Sequence, residues 1–181
     1  MTLEEWADLP EDEPGELVDG RLMEEEMAGY VHEVVVTFLV QLFLNWLGER
    51  GFVGGSDAKF EVRPKRGRKP DLTVYLPGGN VPPRRGLITV PPDVAVEVIT
   101  PTPRDARRDR VEKLDEYAGF GVRFYWLVDP EIRTLEIYEL GPGGRYTRAL
   151  GASEGTLTDV PGCEGLVLDL SALWARVDRL A

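Results

Sequence analysis

The sequence predicts an α/β or mixed α+β fold, with a mixed central sheet flanked by helices. Three observations carry that expectation. VAVEVIT at 94–100 is apolar and β-branched, the composition of a strand covered on both faces. A helical stretch at 104–119 joins the strand at 94–99 to another at 123–128, and its length suits a right-handed parallel crossover. The other strand signals arrive as neighbours across short turns, so the rest of the sheet is expected to be antiparallel.

Taken in order, Thr2 and Glu5 form a capping box that opens a short helix ending near Pro10. In ELVDGRLMEE at 16–25, Asp19-Gly20 separates two short runs, a strong hairpin signal. From about Tyr30 to Arg50 the pattern is a long apolar helix, with Gly51 as the expected C-cap. KFEVR at 59–63 alternates as a strand, and DLTVYL at 71–76 follows a basic turn. The loop PGGNVPPRRG then leads to the strand at 94–99. Thr102 is placed to cap the next helix, with Pro103 at its first position and Asp105 at its third. FYWLVD and TLEIYEL are strands joined by a turn at Pro130, and RYTRAL is another. GLVLDL and a final helix from Ser171 close the chain. No repeat, linker or low-complexity segment interrupts this order, so residues 1–181 are expected to form one domain.

The acidic start MTLEEWADLPEDE lacks the basic and apolar regions of a signal peptide. The longest apolar run, 34–47, is short for a bilayer and carries Thr37, Gln41 and Asn45. A cytoplasmic protein without membrane association is the expectation. A lone cysteine, Cys163, excludes an internal disulfide and a cysteine-based zinc cluster, and no basic neighbour in sequence activates it. GPGG at 141–144 has no Walker lysine and reads as a turn.

Net charge is −11, which argues against nucleic acid until its distribution is considered. Residues 59–110 hold twelve Lys and Arg against six Asp and Glu, a local +6 that leaves −17 on the remainder. A polyanion responds to the local field. KRGRK at 65–69 (Lys65, Arg66, Arg68 and Lys69), with Arg104 and Arg107, forms the candidate backbone-binding set; solvation of loops by the same arginines is the even-odds alternative.

Glu97 is out of place in so apolar a strand, because an unpaired buried carboxylate costs several kcal/mol. Asp71, directly after Pro70, opens another apolar strand. Were the two strands neighbours, both carboxylates would face one concavity and repel each other unless a cation lay between them. Mg2+ meets that need with one or two carboxylates plus water and phosphate, and it activates phosphodiester hydrolysis. On residue types alone, a solvent-facing or arginine-paired Glu97 is the commoner outcome. Asp109, Lys113 and Tyr117 share a helix face at i, i+4 and i+8, where Lys113 would serve a phosphate or merely pair with Asp109 at the surface. His32, the only histidine, opens the long helix, a position more often used for capping or packing than for catalysis.

KPDLTVY followed by VAVEVITPTPRDARRDRVEKLDEYAGFGVRFYWLVDP resembles the Uma-type bacterial endonuclease family of the PD-(D/E)XK restriction-endonuclease-like superfamily. The matching positions are Pro70-Asp71, Glu97 to Pro101, Asp109, Lys113, Tyr117, Gly121-Val122, Tyr125-Trp126 and Asp129-Pro130, with Glu16 to Gly20 and His32 upstream. The likeness spans roughly residues 1–150. It implies a restriction-endonuclease-like core with an N-terminal hairpin and extra C-terminal strands. It also implies an Mg2+-dependent nuclease, with Mn2+ as a substitute, using one or two ions held by Asp71 and Glu97. Lys113, Glu16 and His32 would complete the site, and nucleic acid, in the first instance DNA, would be the substrate. One position departs from the pattern: the superfamily's lysine two residues after the second acid is Ile99 here, which makes Lys113 the substitute. Two rival readings stand beside this one. The first is a non-catalytic nucleic-acid-binding or interaction module on the same fold. The second is a structural homodimer built through the apolar helix and the strands after Gly121.

Overall fold

The computed structural model describes residues 1–10, 15–23, 29–102, 104 and 107–181. Its centre is a six-stranded sheet formed by β3 (Phe52–Gly54), β6 (Leu72–Tyr75), β7 (Val94–Val98), β8 (Phe124–Asp129), β9 (Thr134–Leu140) and β10 (Tyr146–Ala152). The spatial order is β10-β9-β8-β7-β6-β3. Only β7 and β8 run parallel within it, and the remaining pairs are antiparallel as the turn signals require.

Alternation along β7 assigns its two faces. Val94, Val96 and Val98 pack into one core with Val35, Leu39, Phe43 and Leu47 of α2 (Tyr30–Leu47) and with Leu173 and Trp174 of a C-terminal helix (Leu170–Val177). Ala95 and Ile99 face a second core containing Tyr117, Tyr125 and Phe60. That face is covered by α3 (Lys113–Phe120) and by a small sheet of order β2-β1-β5-β4. The small sheet comprises β1 (Glu16–Val18), β2 (Arg21–Met23), β4 (Phe60–Arg63) and β5 (Arg66–Arg68). The hairpin between β1 and β2 turns at Asp19 (φ 50°) and Gly20 (φ 78°), both left-handed as a type I′ turn demands. Helix α1 (Leu3–Ala7) carries its expected capping box and lays Trp6 across β5, where a Cβ on Gly67 would stand 2.3 Å from the indole. Gly67 is the residue that allows the approach.

Three details differ from the sequence reading. The long helix ends at Leu47 on Gly48 (φ 57°), and Gly48–Arg50 continue as a 3-10 turn, so Gly51 is not its cap. With that turn the element Tyr30–Arg50 has 21 residues and is long and apolar enough to cross a membrane by length and composition, although Val35, Leu39, Phe43 and Leu47 are buried against the sheet. The crossover is not uniform: Arg108–Glu112 form a π turn before α3 begins. The proposed cap chemistry at Pro103 and Asp105 lies outside the described residues. The last strand, β12, is only Leu168–Asp169 and pairs with β11 (Thr156–Leu157), while Asp169 caps the final helix, which starts one residue before Ser171.

Candidate active site

Strands β6 and β7 are hydrogen-bonded neighbours, and the register sets Leu72 opposite Val96, hence Asp71 opposite Glu97. The Val98 N–H donates to Asp71 Oδ2 at 2.7 Å, tying that carboxylate to the end of β7. Asp71 Oδ1 lies 3.1 Å from Nε2 of His32, which the first turn of α2 brings over the strand ends. Sequence separation hides this meeting.

Glu97 is only 2% exposed, which excludes a solvent-facing role. Its Oε2 is 2.9 Å from Lys113 Nζ, and its Oε1 accepts a 2.6 Å hydrogen bond from the Tyr117 hydroxyl. Lys113 is equally enclosed, so the surface ion-pair alternative fails. Its ammonium also stands 3.3 Å from Glu16 Oε1 and 3.3 Å from Asp109 Oδ1. The π turn is what presents this face. The N–H of Lys113 bonds back to the Arg108 carbonyl, while the Tyr125 hydroxyl donates to the Asp109 carbonyl at 2.9 Å.

Glu16 enters from β1 and meets three cationic side chains. Its Oε2 accepts from Arg68 Nη1 at 2.6 Å and lies 3.9 Å from Arg108 Nε; its Oε1, besides Lys113, accepts from the Lys69 N–H at 3.0 Å. Arg68 uses Nε to bond Glu116 Oε2 at 2.6 Å, and Arg66 Nη1 bonds Glu116 Oε1 at the same distance. Arg66 Nη2 then reaches Asp19 in the hairpin turn.

This arrangement divides the carboxylates electrically. Burial alone would push Glu16 upward, but Lys113, Arg68 and Arg108 together pull it down to about 2. Glu97 is held well above the usual carboxylate range: burial raises it, Lys113 opposes, and Asp71, Asp109 and Glu16 add repulsion. Asp109 is raised for the same reasons, burial first. Burial would lower His32, yet its hydrogen bond and charge contact with Asp71 raise it overall. Lys113 is raised well above its ordinary value, because Glu16, Glu97 and Asp109 outweigh its desolvation. The ammonium is therefore permanently charged at neutral pH.

Glu16, His32, Asp71, Glu97 and Lys113 thus converge. The backbone-binding set does not hold as a group. Arg68 is fully buried between Glu16 and Glu116 and cannot meet a phosphate backbone. Arg66 is spent on Glu116 and Asp19, and Lys69 is mostly covered, 3.7 Å from Asp57. KRGRK is not simply a basic turn, because Arg66–Arg68 are strand β5. Lys65, Arg104 and Arg107 remain at the surface. Arg68, Glu116 and Arg108 are network members the sequence reading did not identify, since their partners lie about fifty residues or more away.

Among the described residues, no group of three His, Cys, Asp or Glu side chains forms a ready cage for a metal ion. The donor chemistry nevertheless fits a hard divalent cation. Asp71 and Glu97 are hard oxygen donors in cross-strand register, and Glu97 feels three carboxylates against one ammonium. Magnesium characteristically takes one or two carboxylates and fills its other positions with water and phosphate.

A crystal structure described as "a putative nuclease belonging to DUF820", from Anabaena variabilis, shares the fold with a TM-score of 0.76. The two sequences are 19% identical, and the match covers 98% of this chain and 99% of that one. No curated protein matches the sequence. A family model described as "Uma2: Putative restriction endonuclease" matches residues 2–171, and this chain belongs to that family.

Proposed function

We propose that the chain is a divalent-metal-dependent nuclease that hydrolyses phosphodiester bonds, with DNA as the first substrate to test. The observation that supports this best is Lys113 Nζ at 2.9 Å from Glu97, on the strand whose neighbour begins at Asp71. A lysine delivered by a helix thereby occupies the neighbourhood that Ile99, buried among apolar residues, does not serve.

Asp71 and Glu97 would hold one or two Mg2+ ions, which Mn2+ would replace. When bound, such an ion supplies polarisation of the phosphate and activation of water. The protein's own contribution is placement. Glu16 and Asp109 hold the Lys113 ammonium independently of Glu97, so it stays charged and fixed when Glu97 turns to another partner. A preorganised cation of this kind stabilises the charge that develops on a phosphate during reaction. The His32 ring braces Asp71, and the Val98 N–H fixes the other carboxylate oxygen.

Isothermal titration with Mn2+ and a cleavage assay on labelled DNA test the proposal together. Asp71→Asn and Glu97→Gln are expected to lose the ion. Lys113→Met is expected to keep it while the rate falls on the order of 10²-fold or more. Wild-type cleavage by Lys113→Met would remove that residue from the chemistry. Binding of DNA without cleavage at any metal concentration would favour the non-catalytic module, a reading to which the Ile99 departure lends some weight.

A further inference from the structure

A cavity of about 440 Å³ opens beside His32 at the carboxyl ends of β7 and β8. Val31, Ile99, Pro130 and Val177 make its wall largely apolar, and Thr100 and Glu131 add polar groups. Its size and mixed lining are those of a small-molecule site. Among the described residues, no lysine or arginine lines it. On the other flank of the site, Arg104, Arg107 and Arg108 line a smaller hollow of about 140 Å³, and Arg108 Nε lies 3.9 Å from Glu16. The site is therefore asymmetric, with three arginines and Glu112 on one flank and, on the other, a largely apolar cavity carrying Glu131 and the His32 ring.

We propose that this cavity seats one nucleobase of the strand whose phosphate lies at Asp71 and Glu97. The inference rests on the nuclease reading and names the substrate's state. A phosphate is disfavoured in the cavity because Glu131 would repel it, and the one histidine that lines it, His32, already spends its two ring nitrogens on Glu33 and Asp71. A flat, largely apolar base with polar edges suits the lining. A paired base offers only its groove edges, so a base that enters a concave pocket must leave the stack. The substrate is accordingly single-stranded or carries an extruded nucleotide at the cut. The Glu131 carboxylate accepts from an exocyclic amine, which favours adenine or cytosine over thymine.

His32 is the only histidine, so in untagged protein its imidazole NMR signals report on the cavity without overlap. Titration with deoxyadenosine is expected to shift them, with thymidine roughly fivefold or more weaker. Deoxyribose 5-phosphate is expected to have no saturable effect. Val31→Trp, which puts an indole into the cavity, should weaken the deoxyadenosine response. Glu131→Gln should make the two nucleosides bind alike, and it keeps the proposal testable should the tryptophan variant fail to fold. A sugar phosphate that shifts His32 as strongly as deoxyadenosine would overturn the assignment, as would an unchanged nucleoside response in folded Val31→Trp. Cleavage of a single-stranded oligonucleotide with Mg2+, run in parallel, separates the two ideas. Nucleoside binding without cleavage keeps the pocket and sinks the nuclease, whereas cleavage without nucleoside binding does the reverse.

Discussion

Replacing Glu97 by Gln should stabilise the metal-free protein at alkaline pH. Glu97 is 2% exposed and hemmed by Asp71, Asp109 and Glu16 with only Lys113 in opposition. Its carboxyl is held well above the ordinary 4.5 by burial first and by those neighbours second. The sign follows from proton binding. Between the unfolded value and the raised native value the folded chain holds a proton that the unfolded chain has lost. Stability is therefore full at acid pH and declines as pH rises through that window. One group contributes a slope of at most about 1.4 kcal/mol per pH unit. For a chain of this length that is about 3–5 °C in Tm per unit. Glutamine keeps the shape: its one oxygen accepts from Lys113 and its amide N–H donates to the Tyr117 hydroxyl oxygen, while Lys113 retains Glu16 and Asp109. Differential scanning calorimetry from pH 5 to 8 should show the Tm of the wild type falling more steeply than that of Glu97→Gln, with the variant ahead at pH 8. Mn2+ should restore the wild type and leave the variant unmoved. Parallel curves for the two proteins would refute the electrostatic argument, because they would mean that Glu97 titrates alike folded and unfolded.

Three further outcomes are expected. Arg68→Met should cost about 3–5 kcal/mol by urea denaturation, because it leaves Glu16 and Glu116 short of a buried partner, whereas Arg148→Ala, from an exposed pair, should cost under about 1 kcal/mol. Burial, with Asp93 adding to it, raises the Cys163 thiol to about 12, so a thiol reagent at pH 8 should label it only as fast as the chain unfolds. If the exposed Lys65 and Arg107 carry phosphates, replacing both with Ala should flatten the salt dependence of duplex DNA binding by up to about 0.9 in slope per contact. Equal slopes would move the strand's path elsewhere.

How far the site was legible depended on the range of each interaction. Strand β7, the crossover to β8 and the Asp19-Gly20 turn follow from local patterns, and the structure shows all three. The four-residue spacing of Asp109, Lys113 and Tyr117 marked one helix face but not its burial, which depends on where α3 packs. Arg68 read as surface charge because its acids, Glu16 and Glu116, lie 52 and 48 residues away. Strand β3 went unnoticed, since FVG between glycines is too short to show alternation. The helix boundary slipped by three residues because GERG offers two glycines, and the tightened turn chose Gly48.

The Glu16–Arg68–Glu116 chain of ion pairs also has a consequence for synthesis. A ribosome delivers residues in order, so Arg68 emerges tens of residues before Glu116 exists to receive it. Until then Arg68 has Glu16 but not Glu116, so closing the half-made small sheet early would bury its Nε donor unpaired. Hairpin β1–β2 can form alone, but β5 has reason to remain undocked until α3 arrives. Such distant pairings slow folding and make it depend on the whole chain. A truncation that ends before residue 116 should therefore give a chain that is collapsed but unlocked, captured by chaperones rather than released as a smaller folded unit.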